Sequence, residues 1–165
     1  ENVEDGKNFT KLLELLKYLE KKNTDILFST HPRTMEKIKK LGKNRFKRII
    51  FHKPFSYIEY SNLQLHSKLV LSDSGSITEE SSIMGFDAIN LRSTNERQEG
   101  IEYGVVPMTH FDIDKIDMII SFLDVTNTKK NLINDYKCIN FSSIILNIII
   151  SYINYVNYYT WKKNI

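Results

Sequence analysis

The stretch Leu69-Val70-Leu71-Ser72-Asp73-Ser74-Gly75-Ser76-Ile77-Thr78-Glu79-Glu80 decides the fold. The apolar run Leu69 to Leu71 is too short for a helix and reads as the heart of a buried strand, Lys68 to Ser72. It ends in small hydroxyl-bearing residues and a glycine. A helical segment follows at once to about Met84, with Gly85 placed as its C-cap. This succession puts the positive dipole end of the helix and its first N–H groups at the tip of the strand, a setting that suits a phosphate. Gly75 permits close backbone approach, and Ser74 and Ser76 offer hydroxyl donors. The competing reading is an ordinary helix start, because Ser76 and Glu79 have the spacing of a Ser-x-x-Glu capping box.

Outward from this stretch the chain alternates in the same way. Phe9, Leu12, Leu13, Leu16 and Leu19 fall at helical spacing between Asn8 and Lys22. Ile26-Leu27-Phe28 then reads as a strand, and Pro32 marks its exit through His31. The pattern predicts helices near Thr34 to Leu41, Tyr57 to His66 and Asp114 to Leu123, with strands at Arg48 to Phe51 and Ala88 to Leu91. Short apolar strands separated by helices imply right-handed crossovers and an open, Rossmann-like parallel sheet in an α/β fold, with helices on both faces. Val125 to Asn134 is polar and reads as a connector. It leads to a C-terminal amphipathic helix, 141–160, whose Ile144, Ile145, Ile148, Ile149, Tyr152, Ile153 and Val156 form a stripe suited to docking. The sparse glycines and prolines argue for one domain over 1–165.

Composition excludes several classes. The 165 residues carry 23 Lys plus Arg against 20 Asp plus Glu, a net charge of +3 that is too small to imply nucleic acid. One cysteine, Cys138, rules out an internal disulfide framework and a Cys-rich zinc site, so a reducing, cytoplasmic setting is expected. Asn147, Ser151, Asn154 and Asn157 interrupt the C-terminal apolar run well short of the roughly 18 residues of a membrane span. The four histidines show no ligand-pair spacing, so neither a metal nor another cofactor is expected.

In open α/β sheets, ligands sit beyond the carboxyl ends of the strands. That rule selects His31-Pro32-Arg33, Lys53 to Tyr57, Asp73 to Ser76, and Arg92 to Arg97. Glu80, one turn into its helix, is placed to accept hydrogen bonds from two vicinal sugar hydroxyls, or is a solvated helix charge. Arg92 and Arg97 flank a hydroxyl-rich turn and match the bidentate geometry of a diphosphate. Tyr57 and Tyr60 share a helix face and either flank a planar base or belong to the core.

These residues resemble the non-hydrolysing UDP-N-acetylglucosamine 2-epimerases. That family carries an Asp-Ser-Gly-Gly-x-x-Glu-Glu turn followed by an Arg-x-x-Thr-Glu-Arg-Pro-Glu loop, and Asp73 to Glu80 and Arg92 to Glu99 nearly repeat both at a similar interval. Ser76 in place of the second glycine, the continuation Ser81-Ser82-Ile83 and the closing Ser151-Tyr152 to Asn157 are most similar to the branch that forms UDP-N-acetyl-L-fucosamine for capsule or O-antigen. Glu1-Asn2-Val3 looks like the tail of the family's His-Arg-Glu-Glu-Asn motif, so the chain reads as the C-terminal part of something longer. Two departures stand out: Ser76 adds a Cβ where backbone approach is close, and Gln98 replaces the proline after Arg97, which is expected to loosen that loop.

The resemblance implies the C-terminal half of a GT-B-like enzyme that inverts C2 of a UDP-N-acetylhexosamine by eliminating and re-adding UDP. By motif position, Arg97 and His31 would be catalytic, and Ser74, Gly75, Ser76, Glu80, Arg97, Tyr57 and Glu1 would bind substrate. It also implies a missing N-terminal domain, with the main acid/base carboxylates, and a homodimer as a further expected assembly. The alternatives are the donor-nucleotide domain of a GT-B UDP-glycosyltransferase, which needs an acceptor, and a non-catalytic nucleotide-binding remnant. If the resemblance is right, the chain alone binds UDP weakly and turns nothing over. Incubated with UDP-N-acetylhexosamine in deuterated water it should leave C2 unlabelled, and deuterium at C2 would overturn this.

Overall fold

The computed structural model describes residues 6–42, 46–125 and 132–163. Helix α1, Gly6–Lys21, buries Leu12, Leu15, Leu16 and Leu19 as one stripe. Strand β1, Ile26–Ser29, leads into α2, Pro32–Lys40, with His31 as N-cap and proline at the helix start, where its missing N–H is harmless. Strand β2, Ile49–His52, precedes α3, Tyr57–His66. A reciprocal capping box opens α3: Ser56 accepts from the Glu59 backbone, and the Glu59 carboxylate accepts from the Ser56 N–H. Strand β3, Val70–Ser72, runs through the serine-glycine turn into α4, Ile77–Met84, which Gly85 ends in the left-handed conformation (φ 81°). Strand β4, Ala88–Asn90, α5, Gln98–Glu102, and α6, Ile113–Val125, follow.

Pairing is parallel, as the alternation predicts. Ile26 to Ser29 lie opposite Ile49 to His52, and Val70 to Ser72 opposite Ala88 to Asn90. The described strands form two two-stranded ladders, β1 with β2 and β3 with β4, where the sequence suggests one continuous sheet. The reason is geometric. Strands of three or four residues have few ladder positions to share, and the ends of β1 and β3 flank a cleft of about 610 Å³. The cleft thus lies at the carboxyl ends of strands, where α/β folds place ligands.

Both ladders share one core. Ile49 of β2, Ile89 of β4, Leu91, Phe111 and Ile116 of α6 cluster with the leucines of α1. A fifth extended segment joins β4 through a single parallel bridge, Asn90 to Met108, with Asn90 N–H donating to Pro107 and Thr109 N–H to Asn90, both at 2.9 Å. Sequence reading missed it. Pro107 lacks the N–H that a longer ladder would use.

The chain divides into two compact units, Glu1–Ile133 and Asn134–Ile165. In the second, a 3₁₀ turn at Asn134–Tyr136 precedes α7, Phe141–Tyr155, and a π-helical turn over Val156–Thr160. The helix expected at 141–160 is therefore present, with its last five residues wound more widely. None of the residues of α7 is buried. Among the described residues, no helix is long and apolar enough to cross a membrane.

Gly100 locks α5 against α4. A Cβ there would lie 2.2 Å from Thr78 Cγ2, and Thr78 is itself buried. Gly100→Ala should therefore cost about 1–3 kcal/mol through overpacking, and adding Thr78→Ser, which deletes the clashing methyl, should recover part of the loss. Urea unfolding of the single and double variants measures this, and an unchanged midpoint for Gly100→Ala would refute it.

Candidate functional site

The turn after β3 is organised by its hydroxyls. Ser72 Oγ accepts from the Ser74 N–H at 3.1 Å, Ser74 Oγ and Ser76 Oγ are 3.0 Å apart, and Ser76 Oγ donates to Glu80 Oε1 at 2.8 Å. Ser76 has only one proton, and the carboxylate takes it, so Ser74 is the donor between the two serines. The second Glu80 oxygen, Oε2, accepts from Gln64 Nε2 at 2.6 Å. Glu80 is thus held at both oxygens and is not a loose helix charge. The capping-box alternative fails: Ser76 makes no side-chain cap to the helix, and Glu79 turns instead to Arg97. Without a side-chain cap, the amino end of α4 presents its partial positive charge to the turn.

The arginine loop meets this turn. A Cβ built on Gly75 would lie 2.9 Å from Arg97 Nη1 and 3.1 Å from Arg92 Nη1, so both guanidinium groups rest on the one residue without a side chain. Asn95 shapes the loop: its Oδ1 accepts from the Arg97 N–H at 3.0 Å and its Nδ2 donates to the Arg97 carbonyl at 2.9 Å. Arg97 Nε donates to Glu79 at 2.8 Å, and Glu96 takes Arg97 Nη1 at 3.0 Å and Arg92 Nη2 at 3.4 Å. The hydrogen bond that Arg97 donates to Glu79, followed by the negative charge of that carboxylate, pushes the guanidinium above its ordinary value, so it stays cationic at any working pH. Two cations and a helix amino end around one glycine can hold a doubly charged oxyanion.

The cleft beside the turn is lined by Ser29, His31, Arg33, Thr34, Tyr60, Ser72 and Asp73, together with apolar residues of α1 and the strands. His31 caps α2 by accepting the Arg33 N–H at Nδ1, 3.4 Å, which leaves the proton of the neutral ring on Nε2. Tyr60 is half-buried and hydrogen-bonded to Ser72; burial first, then the carboxylates of Glu80 and Asp73, raise its phenol above the ordinary range. Tyr57 sits in the first turn of α3 and is 74% exposed. Glu1 lies outside the described residues. The structure thus brings Ser74, Gly75, Ser76, Glu80 and Arg97 together, with His31 on the wall of the adjoining cleft, and Tyr57 is not among the residues lining that cleft.

Sequence reading missed Gln64, which looked like one more polar helix residue but is buried against Glu80. Gly100 was also missed. It carries no signal of its own in the sequence, where the α5 segment reads as the end of the arginine loop.

Parallel strand pairs covered by helices, with a crevice at their carboxyl ends, define the class: a Rossmann-like α/β domain. The particular family follows from comparison. The family model for UDP-N-acetylglucosamine 2-epimerase matches residues 1–149, and the chain belongs to that family. The UDP-N-acetylglucosamine 2-epimerase of Methanocaldococcus jannaschii is 30% identical over 143 residues, 82% of this chain and 38% of that protein. The solved UDP-N-acetylglucosamine 2-epimerase from Rickettsia bellii aligns with a TM-score of 0.75 at 31% identity, covering 98% of this chain and 44% of that one. The M. jannaschii structure in complex with UDP-GlcNAc and UDP gives 0.72 at 28% identity, covering 92% and 42%. The fold is accordingly the Rossmann-like half of a GT-B-like protein, and the chain spans about two-fifths of the length of the curated relatives it matches.

Gly75→Ala tests the cradle. The atoms its Cβ would meet are the ends of flexible side chains, so the fold should survive with a melting temperature near that of the parent. The arginines would be pushed off the turn, and affinity for UDP should fall about tenfold or more. Calorimetry with UDP measures this, and unchanged affinity would argue against an anion site here.

Proposed function

We propose that this chain supplies the nucleotide-binding half of an enzyme that inverts C2 of a UDP-N-acetylhexosamine. The carrying observation is the placing of Arg92 and Arg97 against Gly75 at the amino end of α4, in a turn whose Ser76 hydroxyl is bonded to the Glu80 carboxylate. The relative solved with UDP-GlcNAc and UDP supports the choice of ligand. In this reading the diphosphate lies on Ser74, Gly75 and Ser76, Glu80 accepts two ribose hydroxyls, and the uracil lies toward Tyr60 or Tyr57. Glu1 lies in the family's substrate-binding motif.

The reaction removes the proton on C2 while the C1–O bond breaks, so the electron pair of the C–H bond becomes the C1–C2 double bond and UDP leaves as the anion. UDP then adds back to C1, and a proton returns to the opposite face of C2. Bond cleavage places new negative charge on the leaving diphosphate, and the arginine cradle stabilises that charge where it develops. His31, with its proton on Nε2, stands at the cleft as a donor to the sugar or to the departing oxygen. The carboxylates that move the C2 proton belong to the other half of the protein, and the family's branch forming UDP-N-acetyl-L-fucosamine gives the specific sugar, destined for capsule or O-antigen. A cytoplasmic homodimer completes this reading.

The test uses the full-length protein that contains this chain. With UDP-N-acetylhexosamine in deuterated water it should incorporate deuterium at C2. Arg97→Ala should lower kcat/KM by about 10²–10³, and Arg97→Lys should restore only part, since a lysine keeps the charge but loses the fork. No deuterium at C2, or an Arg97→Ala enzyme as fast as the parent, would overturn the proposal.

A further inference from the structure

Gln64 sits on α3 with 2% of its surface exposed. Its Nε2 donates to Glu80 Oε2 at 2.6 Å, a short bond strengthened by the charge on its acceptor. Among the described residues its Oε1 is buried and has no hydrogen-bond partner. Rotating the amide would not help, because that would turn Oε1 toward the carboxylate and oppose two acceptors. The orientation of Gln64 is therefore fixed by Glu80 alone, at the cost of a buried carbonyl left unpaired.

A side chain chosen for stability would not look like this. Methionine has similar length and flexibility and no oxygen to desolvate. What Gln64 adds is control of Glu80. Ser76 takes one oxygen of that carboxylate and Gln64 the other, which fixes both the plane and the rotation of the group. Each oxygen has two lone-pair sites, so one acceptor site per oxygen is left, a pair suited to two adjacent hydroxyls. Without Gln64, one anchor remains, and the carboxylate can turn about its own bond.

We infer that Gln64 is a positioning residue for ribose recognition: it acts through Glu80, so that preference for a ribonucleotide over a 2′-deoxyribonucleotide depends on a buried amide one shell behind the ligand. This rests on Glu80 being the ribose-holding carboxylate.

The experiment compares UDP with 2′-deoxy-UDP by calorimetry on the full-length protein containing this chain, for the parent, Gln64→Met and Glu80→Gln. The parent should prefer UDP by about tenfold or more, the worth of a hydrogen bond to a charged group. Gln64→Met should lose most of that preference through weaker UDP binding, while 2′-deoxy-UDP affinity stays within about twofold and the melting temperature is equal or higher. If Gln64→Met keeps the full preference while Glu80→Gln loses it, the role of Gln64 is refuted and that of Glu80 stands. If Gln64→Met weakens both nucleotides equally, Gln64 is only structural and the inference is likewise refuted. If Glu80→Gln keeps the preference, the assignment of Glu80 falls, and with it the inference.

Discussion

Seating two guanidinium groups in the space that a side chain at Gly75 would fill is the constraint on which the site depends. Two like charges gathered on one residue repel each other, and a helix amino end adds to the positive field. The arrangement persists because Glu79 and Glu96 share the two arginines between them. Their positions differ. Glu79 belongs to α4 and ties Arg97 to the same helix that the turn introduces, whereas Glu96 is exposed on the arginine loop itself. Glycine at 75 is required by this geometry and not by its backbone conformation, since any Cβ would occupy the space the arginines use.

Much of the fold followed from short-range pattern. Helices at 3.6-residue spacing, short apolar strands and turn residues at the strand exits located the four strands and all the helices of the first unit except the five-residue α5, because each depends on neighbours in sequence. What the pattern could not give depends on distant residues. Ser76 and Glu79 have the spacing of a capping box, yet Arg97, 18 residues on, takes Glu79, and Glu80 takes the Ser76 hydroxyl. Tyr57 and Tyr60 are equivalent on a helical wheel, and only the packed cleft distinguishes the exposed one from the half-buried one. Gln64 has no local signature, because a polar helix residue becomes informative only once its burial is known.

The departures from the family motif gain a physical account from the same contacts. Gln98 is the first residue of α5, the position at which proline is pre-organised for a helix. The expected loosening of the loop is offset by Asn95, which stands where the motif has threonine and bonds the Arg97 backbone in both directions. The wedge of Gly100 against Thr78 fixes the other end of the segment. One substitution removes a backbone restraint, and side-chain hydrogen bonds and packing supply another.

Serine at 76 is the more instructive case. Its backbone is ordinary right-handed helix (φ −66°, ψ −10°), so the position makes no demand for glycine. The added Cβ carries a hydroxyl that connects Ser74 to Glu80, and through Glu80 to Gln64. A glycine here would leave the serine of the turn and the carboxylate of the helix without this link. With serine, the group assigned to the diphosphate and the group assigned to the ribose belong to one hydrogen-bonded chain. The Ser76 hydroxyl therefore couples the position of Ser74 to that of the Glu80 carboxylate, and Gln64 holds the far oxygen of the same carboxylate from the other side.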